Sequence, residues 1–375
     1  MQFILKFAKA FSAFLFCIFF LPALSFAQYT RTDLVTDTGT SGTLMDAHLV
    51  NGWGLVSLHG SPWWVSDNST GFSTLYTITN SPQSVSASRA GLVVTIQAAN
   101  GGQGTPTGVV GNNTPGFTFT INGATKTFTF IFSALDGTIS AWNPAIDPIG
   151  PTGSSTASLK ANRSSFGAVY TGLAIGTNNG QPLLYAADDG PNRRVDVFDT
   201  NFTLVDPANN TVGLNPGAFV DPNVPKDFAP YGIQTITAAD GTETVWVTYT
   251  ALDKAQSGFV SAFTTGGILL NSIKVRGPLH SPWGIAKAPA DFGPLGNAIL
   301  ITNNTPRGRI NAFDPVSGAF LGPLRDASNN PIEIDNVWAI QFGQDLGADG
   351  KHNQLFFTAG PNGYGNGLFG VITAP

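Results

Sequence analysis

The stretch HSPWGIAKAP, residues 280–289, is one of four closely similar passages in this chain. VNGWGLVSLH occupies 50–59, FAPYGIQTIT 228–237 and IDNVWAIQFG 334–343. Each sets an aromatic residue, then Gly or Ala, then an aliphatic, at the head of a short apolar run. Two further copies put threonine in the aromatic place: TGVVGN from Thr107 and TGLAIG from Thr171. Self-similarity at long intervals is the mark of a solenoid or a propeller.

Each unit then continues in the same way. A second apolar run follows, as in WWVSDN from Trp63, LLYAAD from Leu183 and LFFTAG from Leu355. A polar turn leads to a third, as in GTISAW from Gly137, RVDVFD from Arg194 and RINAFD from Arg309. Five units add a weaker fourth run: LVVTI from Leu92, TASLKA from Thr156, FTLVD from Phe202, LLNSIKV from Leu269 and AFLGPL from Ala319. The sixth unit reaches Pro375 without one, while RTDLVTD from Arg31 belongs to no unit. A ring of blades avoids an open edge only if its first and last sheets are joined. The expectation is therefore an all-β, six-bladed β-propeller with four-stranded blades, in which an N-terminal strand completes the last blade. In such a ring the first strands crowd around the axis. Gly or Ala there lets neighbouring backbones approach, and the adjacent aromatic is expected to wedge between blades.

Composition agrees with many short strands joined by turns. Charged residues make up 11% of the chain, against about 25% in ordinary globular proteins, and Gly (44) and Pro (25) are abundant. The 28 Phe and 7 Trp exclude disorder. Residues 1–27 carry Lys6 and Lys9, an apolar run from Phe11 to Leu21 and small residues at Ser25 and Ala27, the pattern of a secretory signal peptide. Its apolar run is short for a membrane span of about 20 residues. Cleavage after Ala27 leaves residues 28–375 as one propeller domain, with an inserted loop near 84–126. It removes Cys17, the one cysteine, so disulfide and thiolate chemistry are excluded from the remainder. That remainder has 16 basic against 23 acidic residues, which argues against nucleic acid or an anionic membrane as a partner. The expected compartment is extracellular or periplasmic, with no stable membrane span after cleavage.

The units from Leu183 and Ala298, with their strand, Asp/Asn-rich turn, Arg and Phe-Asp, resemble NHL-type propeller repeats. NGWGL (from Asn51), PTGVVGN (Pro106), DGTISAWNP (Asp136), FAPYGIQ (Phe228), PWGIA (Pro282), GRINAFDP (Gly308) and FTAGPN (Phe357) together resemble a family of bacterial secreted propellers. Some members of that family carry PEP-CTERM sorting tails. The resemblance implies a fold and a compartment but no chemistry. It departs from the family at Leu135, where an acidic residue is usual, which weakens any metal role at that turn.

No Gly-x-Ser-x-Gly elbow, His-Glu-x-x-His pair or phosphate loop is present. Candidate ligand-binding residues are those expected where loops lead into the first strands at one channel mouth: Asp46, His48, Asn51, His280, Asp335 and Asn336, with Glu333 beside them. The turns after second strands add Asp67, Asp136, Asp188, Asp189, Asp253 and Asn303. Imidazoles suit proton transfer or metal binding, but a His or Asp at a loop–strand junction also serves to hold backbone groups. His59 and His352 fall at the opposite end. Converging carboxylates, with no sulfur and few nitrogens, would favour a calcium-like divalent cation. Trp63 and Trp64 would stack on a sugar if exposed, although second-strand positions favour blade packing.

Three functional readings follow, in this order. The first is a non-catalytic scaffold binding an extracellular small molecule, saccharide (glycan), peptide or partner protein. The second is a metal-assisted lactonase- or lyase-type enzyme using His48 or His280 as base. The third is a structural surface or matrix component with the 84–126 insert as its lateral contact.

Overall fold

Every one of the six apolar runs forms the first strand of a sheet. The computed structural model describes residues 28–40, 42–206, 210–251, 257–273 and 277–375. Blade one contains Gly52–Val56, Trp63–Asp67, Phe72–Asn80 and Val85–Thr95. Blade two contains Pro106–Gly111, Phe130–Ala134, Thr138–Trp142 and Ser158–Asn162. Blade three has Tyr170–Asn178, Gln181–Asp188 and Arg194–Phe198. Blade four has Ala229–Thr237, Glu243–Thr250, Phe259–Thr264 and Leu269–Ile273. Blade five has Pro282–Lys287, Ile299–Asn303, Gly308–Phe313 and Phe320–Pro323. Blade six has Val337–Phe342, Gln354–Ala359 and Leu368–Thr373 from the end of the chain. Each first strand touches the first strand of the next blade, and that of blade six returns to blade one, so the ring is closed.

Closure is made by the spare strand. Thr30–Thr36 pairs antiparallel with Leu368–Thr373, setting Arg31 opposite Ile372 and Thr36 opposite Leu368. Leu34 and Val35 are buried against the Phe369 and Val371 side chains of that blade. Both ends are tied down. The Tyr29 hydroxyl donates to the Phe292 carbonyl (2.8 Å), and the Asp37 carboxylate accepts from the Gly367 N–H (2.9 Å) and the Asn366 amide (2.8 Å).

Two fourth strands differ from the sequence reading. In blade three FTLVD forms no strand; a bridge from Leu204 to Phe198 is all that pairs there. Phe202 takes a positive φ of 60° and turns its ring onto Phe117, which breaks the extended run. The TASLKA run is split: Ser154–Thr156 lies parallel to the outer strand of blade one, and Ser158–Asn162 completes blade two. The 84–126 stretch holds the outer strand of blade one, the first strand of blade two and part of a small hairpin, Thr118–Ile121 with Ala124–Thr127.

The repeated glycine has the role its position implies. A Cβ at Gly54, Gly108, Gly232 or Gly284 would stand under 3.0 Å from the backbone of the next blade. A small hydroxyl in the second strand spans the same joint. The N–H groups of Gly232, Gly284 and Ala339 donate to the Thr248, Thr302 and Thr358 hydroxyls (2.8, 2.7 and 3.2 Å). Those hydroxyls donate onward to the carbonyls of Trp283, Trp338 and Trp53 in the following blade (3.5, 2.9 and 2.5 Å). Blades four, five, six and one are thus stitched near the axis. Gly232→Ala drives a methyl into the Trp283 carbonyl, and backbone cannot yield as a flexible side chain would. Urea denaturation is expected to show a loss of about 1–3 kcal/mol, the usual cost of overpacking. Gly91→Ala, with nothing within 4 Å of the new methyl, is the control expected to stay near wild type.

The four aromatics at this place do more than wedge between neighbouring blades: they also meet across the axis. In all six blades the pairing of first and second strands slips at this place. Such bulges bend the strand and re-aim side chains, and here the rings turn toward the axis. Second-strand aromatics also pack between blades. Trp63 is fully buried against Phe356 (4.8 Å), and Trp64 stacks on Phe130 (4.0 Å), so neither is exposed to a sugar.

Candidate functional site

At the mouth where loops lead into the first strands, the redirected aromatics close the channel. Trp53 of blade one stacks on Trp338 of blade six with centroids 3.7 Å apart. Trp283 of blade five meets both edge-on (6.2 and 5.7 Å), and Tyr231 of blade four packs on Trp338 (5.9 Å). The Trp283 indole reaches across the axis to donate to the Thr171 carbonyl of blade three (3.0 Å). Tyr364 lies over Trp338 (5.6 Å) from the 360–366 loop, its hydroxyl donating to the Asn304 side chain (2.8 Å). Five rings therefore form a plug.

Several sequence candidates at this mouth serve the plug and its loops. Asn51 and Asn336, each two residues before the aromatic, take positive φ angles of 52° and 48°. Asn tolerates this left-handed region better than most residues. The Asn51 side chain accepts the Trp338 indole N–H (2.9 Å), and the Asn336 amide donates to the Gly360 carbonyl (3.1 Å). The Asp335 carboxylate accepts the Asn362 N–H (3.0 Å). Asp46 is buried and holds the blade-one loop: it accepts the His48 N–H (3.1 Å), the Tyr76 hydroxyl (3.1 Å) and Arg89 Nε (3.0 Å). His48 Nδ1 lies 3.1 Å from both Asp46 and Arg89. His280 is elsewhere, its N–H on Asn303 Oδ1 (3.1 Å) and its ring lining a groove on blade five.

The structure does not bring His48, His280 and Asp335 together. Among the described residues no group of three His, Cys, Asp or Glu is placed to hold a metal ion. The turn acids act separately. Asp188 accepts the Val169 and Gly190 N–H groups (2.8 and 2.9 Å), and Asp136 accepts the Ala99 N–H (2.6 Å) and the Thr138 hydroxyl (2.7 Å). Burial, and secondarily Asp188, push the Asp189 carboxyl up to about 6, against the pull of Arg193. Asp67 is fully buried beside Thr74, and burial pushes its carboxyl well above the ordinary range. Glu333 is paired with Arg307 and Arg309. His352 lies between Asp345 and Asp291, and Asp253 lies outside the described residues.

The opposite mouth is open. Behind the plug the channel narrows to a gap of about 20 Å³ under Trp283, then widens into a cup of about 240 Å³. Five blades supply its wall, with Ser57 and His59 from blade one, Asn113 from blade two, Ile175 from blade three, Gln234, Thr235 and Glu243 from blade four, and Gln341 and Gln344 from blade six. The Gln344 amide is held on the Ser57 carbonyl (2.9 Å), and Glu243 accepts the Thr177 N–H (2.6 Å). The Thr235 hydroxyl is buried without a partner. Sequence reasoning passed over this mouth because amides and hydroxyls carry no catalytic signature. One signal was present: YGIQ and WAIQ place Gln234 and Gln341 at the same register, three residues after the aromatic.

No protein-family model matches the chain. Similar proteins occur in Acanthamoeba polyphaga mimivirus. Uncharacterized protein L690 is 28% identical over 328 residues, covering 85% of this chain and 80% of that protein. Uncharacterized protein R648 is 27% identical over 370 residues, covering 94% and 82%. These relatives are viral, not bacterial as the sequence motifs led one to expect. Among solved structures, streptogramin B lyase aligns with a TM-score of 0.45 at 11% identity, over 93% of this chain and 98% of that one. BBS1N, solved in complex with ARL6DN, aligns with a TM-score of 0.44 at 11% identity, over 92% and 97%. Among the described residues no helix is long and apolar enough to cross a membrane.

Proposed function

We propose that the protein is a binding scaffold whose axial cup holds a small, uncharged, hydroxyl-rich ligand: a monosaccharide or the end of a glycan chain. The observation that carries this reading is the plug. A channel closed at one mouth by five rings is a blind cup rather than a pore, and a ligand entering from the open side meets a wall that cannot be passed. Carboxamides present both donors and acceptors, which matches hydroxyl groups. At about 240 Å³ the cup is smaller than the ~300 Å³ and upward usual for small-molecule sites, so it suits one ring or one chain end. Among the described residues no Lys or Arg lines it. The leader-like residues 1–27 support an exported protein, extracellular or periplasmic, where such ligands occur.

Calorimetry against a panel of neutral mono- and oligosaccharides tests the reading. Gln234→Ala with Gln341→Ala is expected to weaken binding by about tenfold or more through loss of two hydrogen-bonding groups, with the thermal midpoint unchanged. Binding that survives this double variant, or a panel without any binder, rejects the cup as the site.

A further inference from the structure

A second concavity lies away from the axis. A groove of about 830 Å³ runs along blade five, where His280, Arg307, Arg309, Asn311, Phe320 and Arg325 face one another. We propose that it binds an acidic saccharide: a sugar ring bearing a carboxylate or sulfate, its oxyanion held by the arginines and its apolar face laid on Phe320. This inference stands apart from the cup and does not depend on it.

The charge balance is the first argument. Three guanidiniums line one groove in a chain of net charge −5. One carboxylate, Glu333, answers two of them, bonding Arg307 (2.6 and 3.2 Å) and Arg309 (2.8 Å). Arg325 commits one N–H to the Asn329 carbonyl (2.7 Å). Each guanidinium has five N–H donors in a planar fork, so most donors remain for a ligand. Such forks match carboxylate and sulfate oxygens in geometry as well as charge.

The second argument is that the walls are fixed. The side-chain amides of Asn303 and Asn311 both donate to the Pro278 carbonyl (2.9 and 2.6 Å), which holds the loop bearing His280. Two fixed points on one carbonyl leave that loop little freedom. The His280 ring lines the same groove. Phe320 is 41% exposed, yet its ring is braced against Phe313 at 5.5 Å. An exposed but braced aromatic beside guanidiniums presents a flat apolar face next to cationic donors, as a charged pyranose requires.

Calorimetry with trigalacturonate, its methyl ester and sulfated maltotriose is the test. At least one of the two charged probes should bind, and the uncharged ester should not. Arg309→Ala with Arg325→Ala should weaken the bound probe by about tenfold or more, as fits loss of charge-assisted contacts. Both side chains are partly exposed, so the fold should persist, and an unchanged melting midpoint checks that. Raising salt from about 50 to about 300 mM should also weaken binding. A preference for trigalacturonate identifies the carboxylate sugar, and a preference for sulfated maltotriose the sulfated one. The Gln234/Gln341 double variant should bind the charged probe normally, which separates this site from the cup. Equal binding of acid and ester, binding untouched by the arginine changes, or no binding of either charged probe overturns the proposal.

Discussion

A chain lacking residues 28–37 should lose most of its stability and associate with itself. Those residues supply the outer strand of blade six, the buried Leu34 and Val35, and the anchors at Tyr29 and Asp37. Without them Leu368–Thr373 becomes an open edge, and exposed edges pair with other chains. A gentler version is Val35→Asp, which places a carboxylate in a site of no exposure with apolar neighbours. Burying an unpaired charge is among the few changes that cost about 4 kcal/mol or more. Urea denaturation and size-exclusion chromatography read both effects. A truncated chain that stays monomeric with an unchanged midpoint would mean that the ring holds without this strand.

The second large effect is a pH dependence traceable to Asp67. Its carboxyl is fully buried at the end of a second strand, beside Thr74 of the third. Burial is the main cause that pushes its pKa well above the ordinary value, and nearby Asp46 adds to it, while Thr74 and Arg89 pull the other way. A carboxyl whose pKa is raised by folding favours the protonated form. Its contribution is fully present below the unfolded pKa of about 3.9 and is lost as pH rises toward the folded value. The loss is about 1.4 kcal/mol for each pH unit in that window. Asp67→Asn keeps the shape and removes the proton. Its stability relative to wild type should therefore grow as pH rises above about 4, the unfolded carboxyl value. Denaturation curves for the two proteins across that range give the difference directly, and parallel curves would remove Asp67 as the cause.

The ring could be read from the sequence because its repeat is written in residues that packing demands. Gly54, Gly232 and Gly284 stand where the next backbone arrives, and the unmatched RTDLVTD run marks the closing strand. The direction of the aromatics could not be read, because it depends on a bulge, and a one-residue slip leaves no mark in composition. The fourth strand of blade three failed for a similar local reason, the positive φ at Phe202. The site proved hardest. His, Asp and Asn stand out in the sequence at one mouth, where Asp46, Asn51, Asp335 and Asn336 hold loops and tryptophans in place. Gln234 and Gln341 at the other mouth have side chains that in most proteins simply face water. Arginines 307, 309 and 325 are scattered along a strand, a turn and a bridge, and only the folded blade makes them neighbours.

The stacked indoles of Trp53 and Trp338 belong to the first and last blades, so they meet across the seam that the N-terminal strand seals. Two chromophores in such contact couple their electronic transitions, and the coupling vanishes once they part. Circular dichroism in the indole bands thus reports directly on whether the circle is shut. The molecule carries an optical gauge of its own closure, with no label attached.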